Sequence, residues 1–293
     1  MLVDIALPVI LTIIMFSLGL GLTPVDFARI FREPRAFWIG AFNQVLVVPL
    51  IAFCAAVAFG LPPVLAVGVM ILGLSPGGVL SNASSKFAGG NVPLSVSLTA
   101  LSALASILTL PPLVALSVSY FMGADAPPVD VAALGVQMFL LTAVPVGLGM
   151  ALTRVMPSAT PTLSFWMSRV TLVLFVVLLI AALAANWGLF IANIGTLAPA
   201  LITMNAVLML IGMATSKLAG LNRRDTTSVT IESAVQNGTL GIAVGVIVAG
   251  AASGLPPTTL PTAIYSITVW LLTIPFIIWR RTSATSSELT QPA

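Results

Sequence analysis

Few residues in this apolar sequence could do chemistry, and nearly all of them carry oxygen. Glu232, Gln236 and Asn237 lie in one stretch, TTSVTIESAVQNGTLGIAVGVIVA (226–249). Gln44 lies in AFNQVLVVPL, and Ser75, Ser81 and Asn82 flank the run SPGG at 75–78. Ser95 and Thr99 are four apart, which puts them on one face of a helix. One carboxylate among neutral oxygen ligands suits a hard monovalent cation such as sodium. Calcium recruits more carboxylates, and softer metals want nitrogen or sulfur. The chain has no histidine and a single cysteine, Cys54. It therefore lacks a Ser-His pair, a zinc ligand set and an internal disulfide. Paired intramembrane carboxylates and a Gly-rich phosphate loop followed by Lys are also missing. These residues point away from an enzyme.

Each candidate has a plainer reading. Ser and Thr in membrane helices often bond their own i−4 carbonyl. Asn82 could cap a helix, and Gln44 could simply join two helices. Glu232 is harder to dismiss. A carboxylate inside a bilayer costs ~2.5–3.5 kcal/mol on insertion scales, and no Lys or Arg lies inside an apolar span to pair with it. It is either protonated and hydrogen-bonded or neutralised by a bound cation, and the second reading is preferred here.

The elements that must position these residues are transmembrane helices. The chain has 293 residues, 59% hydrophobic and only 6% charged, against about 25% charged in a soluble domain. Spans of about 20 residues fit nine apolar segments, roughly 5–22, 36–59, 64–85, 92–122, 131–153, 170–187, 188–216, 226–252 and 258–279. The first reads as a span rather than a removable signal, because Asp4 stands where a basic n-region would be. With the N-terminus outside, all eleven basic residues fall on the cytoplasmic side, as the positive-inside rule asks. They are Arg29, Arg32, Arg35, Lys86, Arg154, Arg169, Lys217, Arg223, Arg224, Arg280 and Arg281. Asp4, Asp125 and Asp130 fall outside. The net charge of +3 is thus a topology signal and not a nucleic-acid patch. The polar tail, 282–293, is expected to be disordered.

Two spans are predicted to be broken. Ser75-Pro76-Gly77-Gly78 cannot continue a helix, so a second half-helix is predicted over Val79 to Phe87 with Ser81 and Asn82 in its first turn. Asn237-Gly238 favours turns and caps, one turn beyond Glu232. Pro111-Pro112 is expected to kink the fourth span. Breaks in the third and eighth spans suggest two inverted repeats, the first lacking its opening helix. Paired interrupted spans point to a transporter's midplane site.

The runs LSPGGVLSN (74–82), IESAVQN (231–237) and SLGLGLTPVDF (17–27) resemble the bile acid:sodium symporter family, in order and over nearly the whole chain, as a nine-span bacterial member. The resemblance implies two sodium sites. The first would use Ser81, Asn82, Ser95, Thr99 and Glu232. The second would use Gln44, Glu232, Gln236 and backbone carbonyls around Ser233 and Val235. An organic anion would lie near Gly78, Val79 and Asn237, with Trp270 narrowing the pocket, because Val269-Trp270 replaces a polar pair of some relatives. Half-helix N-termini there would face the carboxylate. Spans one, five and six would form a panel that rocks against a core of the other six, as one transmembrane unit over 1–281.

The expectation is an all-α polytopic membrane protein. It would be a monomeric multi-pass protein of the inner (plasma) membrane, surrounded by lipid, with no cofactor beyond two coupling sodium ions. It would take up an organic anion, either a small carboxylate or a bile-acid-like anion, with a small acid preferred. Two alternatives stay open: a proton-coupled carrier using Glu232, and a passive channel or membrane sensor.

Overall fold

The structure, a computed structural model, describes residues 2–23, 34–126, 128–250 and 255–288. Arg29, Arg32, Pro24 to Phe27 of the opening run and 289–293 of the tail lie outside these residues.

The described residues fold into α1 (Leu2–Leu20), α2 (Pro34–Ala58), α3 (Pro63–Leu74), α4 (Val79–Phe87), α5 (Val92–Met122) and α6 (Val131–Val155). They continue in α7 (Thr160–Ala185), α8 (Trp187–Leu218), α9 (Arg223–Ala234), α10 (Gly238–Ala249), α11 (Leu260–Thr268) and α12 (Trp270–Glu288). Seven stretches among them are long and apolar enough to cross a membrane: α2, α5, α6, α7, α8, α9 with α10, and Pro257–Thr282. The pair α3 and α4 makes an eighth if counted as one span, bent by 61°. α1 adds a shorter apolar stretch, Pro8–Leu20. This is an all-α polytopic membrane protein.

Both predicted breaks are present. α3 ends at Leu74, and Ser75 leaves helical geometry in an extended conformation. α4 then spans the predicted Val79–Phe87. α9 stops at Ala234 and α10 restarts at Gly238, with the Asn237 side-chain oxygen capping it by accepting from Leu240 N–H at 3.1 Å. The breaks touch: Asn237 N–H donates to Pro76 O at 2.8 Å. The two interrupted spans therefore cross at their interruptions, and each provides a partner for a backbone group the other has freed.

The helix α5 carries Pro111-Pro112 inside one continuous helix. Other expectations change. α7 begins at Thr160, well before the predicted 170, because Pro161 at the first turn suits a helix start. Arg169 thus sits inside α7 and stacks 3.4 Å over the Phe165 ring. α12 runs to Glu288, into the stretch expected to be disordered, since an established helix extends at little cost. α2 and α6 each contain a π-turn, at Asn43–Val47 and Phe139–Ala143, just before Val48-Pro49 and Val144-Pro145. Proline has no N–H for the ordinary i−4 bond, and the preceding valine bonds five residues back instead, to Asn43 O and Phe139 O.

α1 packs along α6 and α7. At the first of these contacts the backbones meet directly. A methyl group on Gly149 would collide with Phe16 O and lie 2.8 Å from Gly19 C and Leu20 N. Backbone cannot yield as a flexible side chain can, so Gly149→Ala is expected to destabilise by about 1–3 kcal/mol. A lower melting temperature in detergent, independent of the salt present, would show it.

Candidate functional site

Glu232 is 1% exposed and lies on the last turn of α9, just before the break. α5 brings Ser95 and Thr99 to it from one side, and α4 brings Asn82 from another. The Ser95 hydroxyl lies 3.0 Å from Glu232 Oε2 and 2.8 Å from Asn82 Oδ1. The Thr99 hydroxyl lies against Glu232 Oε1 and 3.2 Å from Asn82 Oδ1. Neither residue makes the i−4 bond of the plainer reading, and Asn82 caps nothing. Gly78 is the residue that starts α4, in a capping box with Ser81.

Protons decide what this cluster can bind. Five oxygens make four close contacts, and the two hydroxyls own one proton each. With Glu232 ionised and Asn82 Oδ1 toward the hydroxyls, two contacts are left with oxygen facing oxygen and no hydrogen between. A cation among these oxygens would turn that deficit into coordination. Ser81 stands apart in one respect: its hydroxyl donates to Gly78 O at 2.8 Å and accepts from Gly78 N–H at 3.1 Å. It still lies beside the carboxylate. A methyl group on Gly77 would collide with Glu232 Oε1 and lie 2.9 Å from Ser81 Oγ. Only a glycine at 77 leaves the carboxylate its place.

The second set gathers around the break in α9 and α10. The π-turn of α2 carries Gln44 into the interior, where its Nε2 donates to Gln236 Oε1 at 3.0 Å. Gln236 Nε2 donates to Ser233 O at 2.8 Å. Gln44 Oε1 is buried with no partner, and Val235 is 2% exposed at the end of α9. Gln44 does join two helices, as the plainer reading had it, yet it keeps an acceptor free. An orphan buried oxygen costs about 1–3 kcal/mol, which a cation beside it would offset. Tyr265 was not legible as part of this region. It is 1% exposed, and its hydroxyl donates to Ala234 O, holding the C-terminal end of α9. A lone tyrosine among apolar neighbours in sequence gives no sign of such a role.

Beside the crossing lies a cavity of about 210 Å³. Its walls are the N-terminal turns of α4 (Gly78, Val79, Leu80) and α10 (Asn237, Gly238, Thr239), with Gln236, and residues of α1 and α7 opposite. Gly78, Val79 and Asn237 are where the resemblance put them. Trp270 is not on these walls: it is half-buried and packs on the core cluster of Tyr265 and Val269. No Lys or Arg lines the cavity among the described residues. Glu232 and Gln44 do not line it either, whereas Gln236 belongs both to the cavity wall and to the second oxygen set.

The sequence profile described as "Sodium Bile acid symporter family" matches residues 8–194. The chain belongs to the sodium bile acid symporter family. A Bacillus subtilis (strain 168) protein, "Uncharacterized sodium-dependent transporter YocS", is 28% identical over 259 residues, 88% of this chain and 78% of that one. The Arabidopsis thaliana "Probable sodium/metabolite cotransporter BASS1, chloroplastic" is 29% identical over 281 residues, 95% of this chain and 67% of that one. The rabbit (Oryctolagus cuniculus) "Ileal sodium/bile acid cotransporter" is 38% identical over a shorter stretch of 105 residues, 36% of this chain and 30% of that one. The chain is thus a multi-pass membrane transporter of a sodium-coupled symporter family, and not an enzyme.

Proposed function

We propose that the protein takes up a small organic carboxylate together with sodium by alternating access. The observation that carries this reading is the proton deficit of the oxygens around Glu232. Coupling sodium ions would enter there, held by Asn82, Ser95, Thr99 and Glu232, with Ser81 within reach. A second ion would be held by Gln44, Gln236, Glu232 and the carbonyls of Ser233 and Val235. Gln236, shared between the second set and the cavity wall, offers a direct link between ion and substrate binding. The anion would rest against the N-terminal turns of α4 and α10, whose free N–H groups favour negative charge. Sodium bound behind the crossing would supply the positive charge that the cavity walls lack.

The size of the cavity supports the small acid over the sterol. Pockets for drug-sized ligands run from about 300 to 1,000 Å³, and this one holds about 210 Å³. The rocking panel would be α1, α6 and α7, the last two packing on α1, and the cavity lies between α1, α7 and the two breaks. The core would be the other helices. The membrane would be the inner (plasma) membrane and the unit a monomer of nine spans, counting α1 and the α3–α4 pair. Its N-terminus would be outside and its C-terminus cytoplasmic.

Proteoliposomes loaded with potassium and diluted into sodium test this reading. Accumulation of a labelled small carboxylate that collapses when sodium is removed or equalised across the membrane is the expected result. Uptake driven equally by a proton gradient in the absence of sodium would overturn it.

A further inference from the structure

The three helices that bring oxygens to Glu232 meet a second time, one turn away. There α4 supplies Ser85, which follows Asn82; α5 supplies its cap, Asn91, which precedes Ser95; and α9 supplies Ser228, which precedes Glu232. The Ser85 and Ser228 hydroxyls lie 2.6 Å apart, and Ser228 donates to Asn91 O at 2.9 Å. The proton between the two serines is therefore that of Ser85. Asn91 N–H donates to Arg224 O at 3.2 Å, and Asn91 Nδ2 donates to Asp225 Oδ1 at 2.8 Å. Asn91 Oδ1 accepts from Leu94 N–H at 3.2 Å, which fixes the amide end that faces Asp225. Asp225 is buried, and its Oδ2 accepts from Asn222 Nδ2 at 2.6 Å. Each contact in this layer has its hydrogen, whereas those around Glu232 do not. Gly90 lets the layer close: a methyl group there would lie 2.6 Å from both Ser85 Oγ and Ser228 Oγ.

We infer that Asn91 and Asp225 are positioning residues for sodium binding. Neither belongs to the ion set. The bond between them fixes how α5 stands against α9, so that Ser95 and Thr99 face Glu232 at the spacing an ion needs. The inference rests on the Glu232 oxygens being the sodium site proposed above. Oxygens that lack hydrogens between them repel, and the completed layer one turn away keeps them from drifting apart. Groups that orient metal ligands without touching the metal typically contribute about 10- to 100-fold in affinity.

The test is the apparent sodium affinity, read from the sodium dependence of the melting temperature in detergent at constant ionic strength. In Asn91→Asp two carboxylates would face each other where the bond now lies. Charge alone would make an added carboxylate strengthen cation binding. Loss of the bond should instead weaken sodium binding, by about 10- to 100-fold. The double variant Asn91→Asp with Asp225→Asn keeps the net charge and restores the bond with the amide on α9. It should return the affinity to within about threefold of wild type, as coupled neighbours do in a double-mutant cycle. The ratio of sodium to lithium affinity should shift in the single variant and return in the double one, a change that stability alone would not produce. Should Asn91→Asp fail to fold, Ser228→Ala removes one hydroxyl from the layer and should still cost about tenfold in sodium affinity. Unchanged sodium affinity in Asn91→Asp, or in Ser228→Ala in its place, overturns the inference while leaving the sodium site standing. So does a double variant that regains the melting temperature in potassium without regaining the affinity. A wild type with no sodium response removes the sodium site and this inference with it.

Discussion

Glu232→Gln is expected to abolish sodium-driven uptake while leaving the protein folded. Glutamine has the shape of glutamate and none of its charge. Removing one partner of a buried charge pair costs about 3–5 kcal/mol, so sodium affinity should fall by ~10²- to 10⁴-fold. The amide also reverses the proton count. Its nitrogen brings two protons into a cluster where Ser95 and Thr99 own two between them and four contacts need filling. The variant should therefore be at least as stable as wild type in potassium and gain nothing from sodium. Melting curves in the two salts and a sodium titration of uptake check both halves. A variant that still responds to sodium like wild type would remove Glu232 from the site.

The second large effect is expected at a residue with no side chain. Gly77→Ala would put a methyl group into Glu232 Oε1 and close to Ser81 Oγ. The carboxylate is the movable party, since the backbone at 75–78 is held through Pro76 O by Asn237. The side chain of Glu232 must turn away from Thr99, and a displacement of this size at a charged ligand can cost on the order of 10²-fold in function. Sodium-dependent uptake should be lost, with the apparent sodium affinity falling and no residue of the ion set replaced. Gly78→Ala is the control. Its methyl would meet Asn237 Nδ2 at 3.2 Å, a contact a side-chain amide can relieve, so sodium affinity should change far less. Equal losses in the two variants would show that the stretch tolerates no side chain at all, rather than that Gly77 makes room for the carboxylate.

Both effects depend on features that differ in how well they could be read from sequence. The interruptions were legible because proline and glycine act locally. SPGG ends a helix wherever it falls, and α4 starts and stops where that rule and the following apolar pattern put it. Ser95, Thr99, Asn82 and Glu232 were legible as a set because polar atoms are scarce in a membrane segment. Their convergence was another matter: it depends on α4, α5 and α9 meeting, which the resemblance supplied and spacing did not. The close fit at Gly77 was invisible, because its meaning lies in a carboxylate distant in sequence. The π-turn that carries Gln44 has a local cause in Pro49, yet a proline of that kind reads equally well as a kink. The start of α7 was misjudged because its first turns mix Pro, Thr and Ser with apolar residues, which hides a helix from a hydrophobicity count. Tyr265 was passed over because one hydroxyl on an apolar helix is ordinary until its partner, Ala234 O, is seen.

The most direct test of the account is the melting temperature of the detergent-purified wild type in sodium chloride against potassium chloride at equal ionic strength. An ion that binds only the folded state stabilises it by mass action, about 1.4 kcal/mol at ten times its Kd. That is a shift of a few degrees for a protein of this size. The account predicts a rise that saturates with sodium, does not occur with potassium, and is absent in Glu232→Gln. Identical curves in the two salts, at sodium concentrations up to several hundred millimolar, would contradict it, for the oxygens around Glu232 would then be satisfied without an ion.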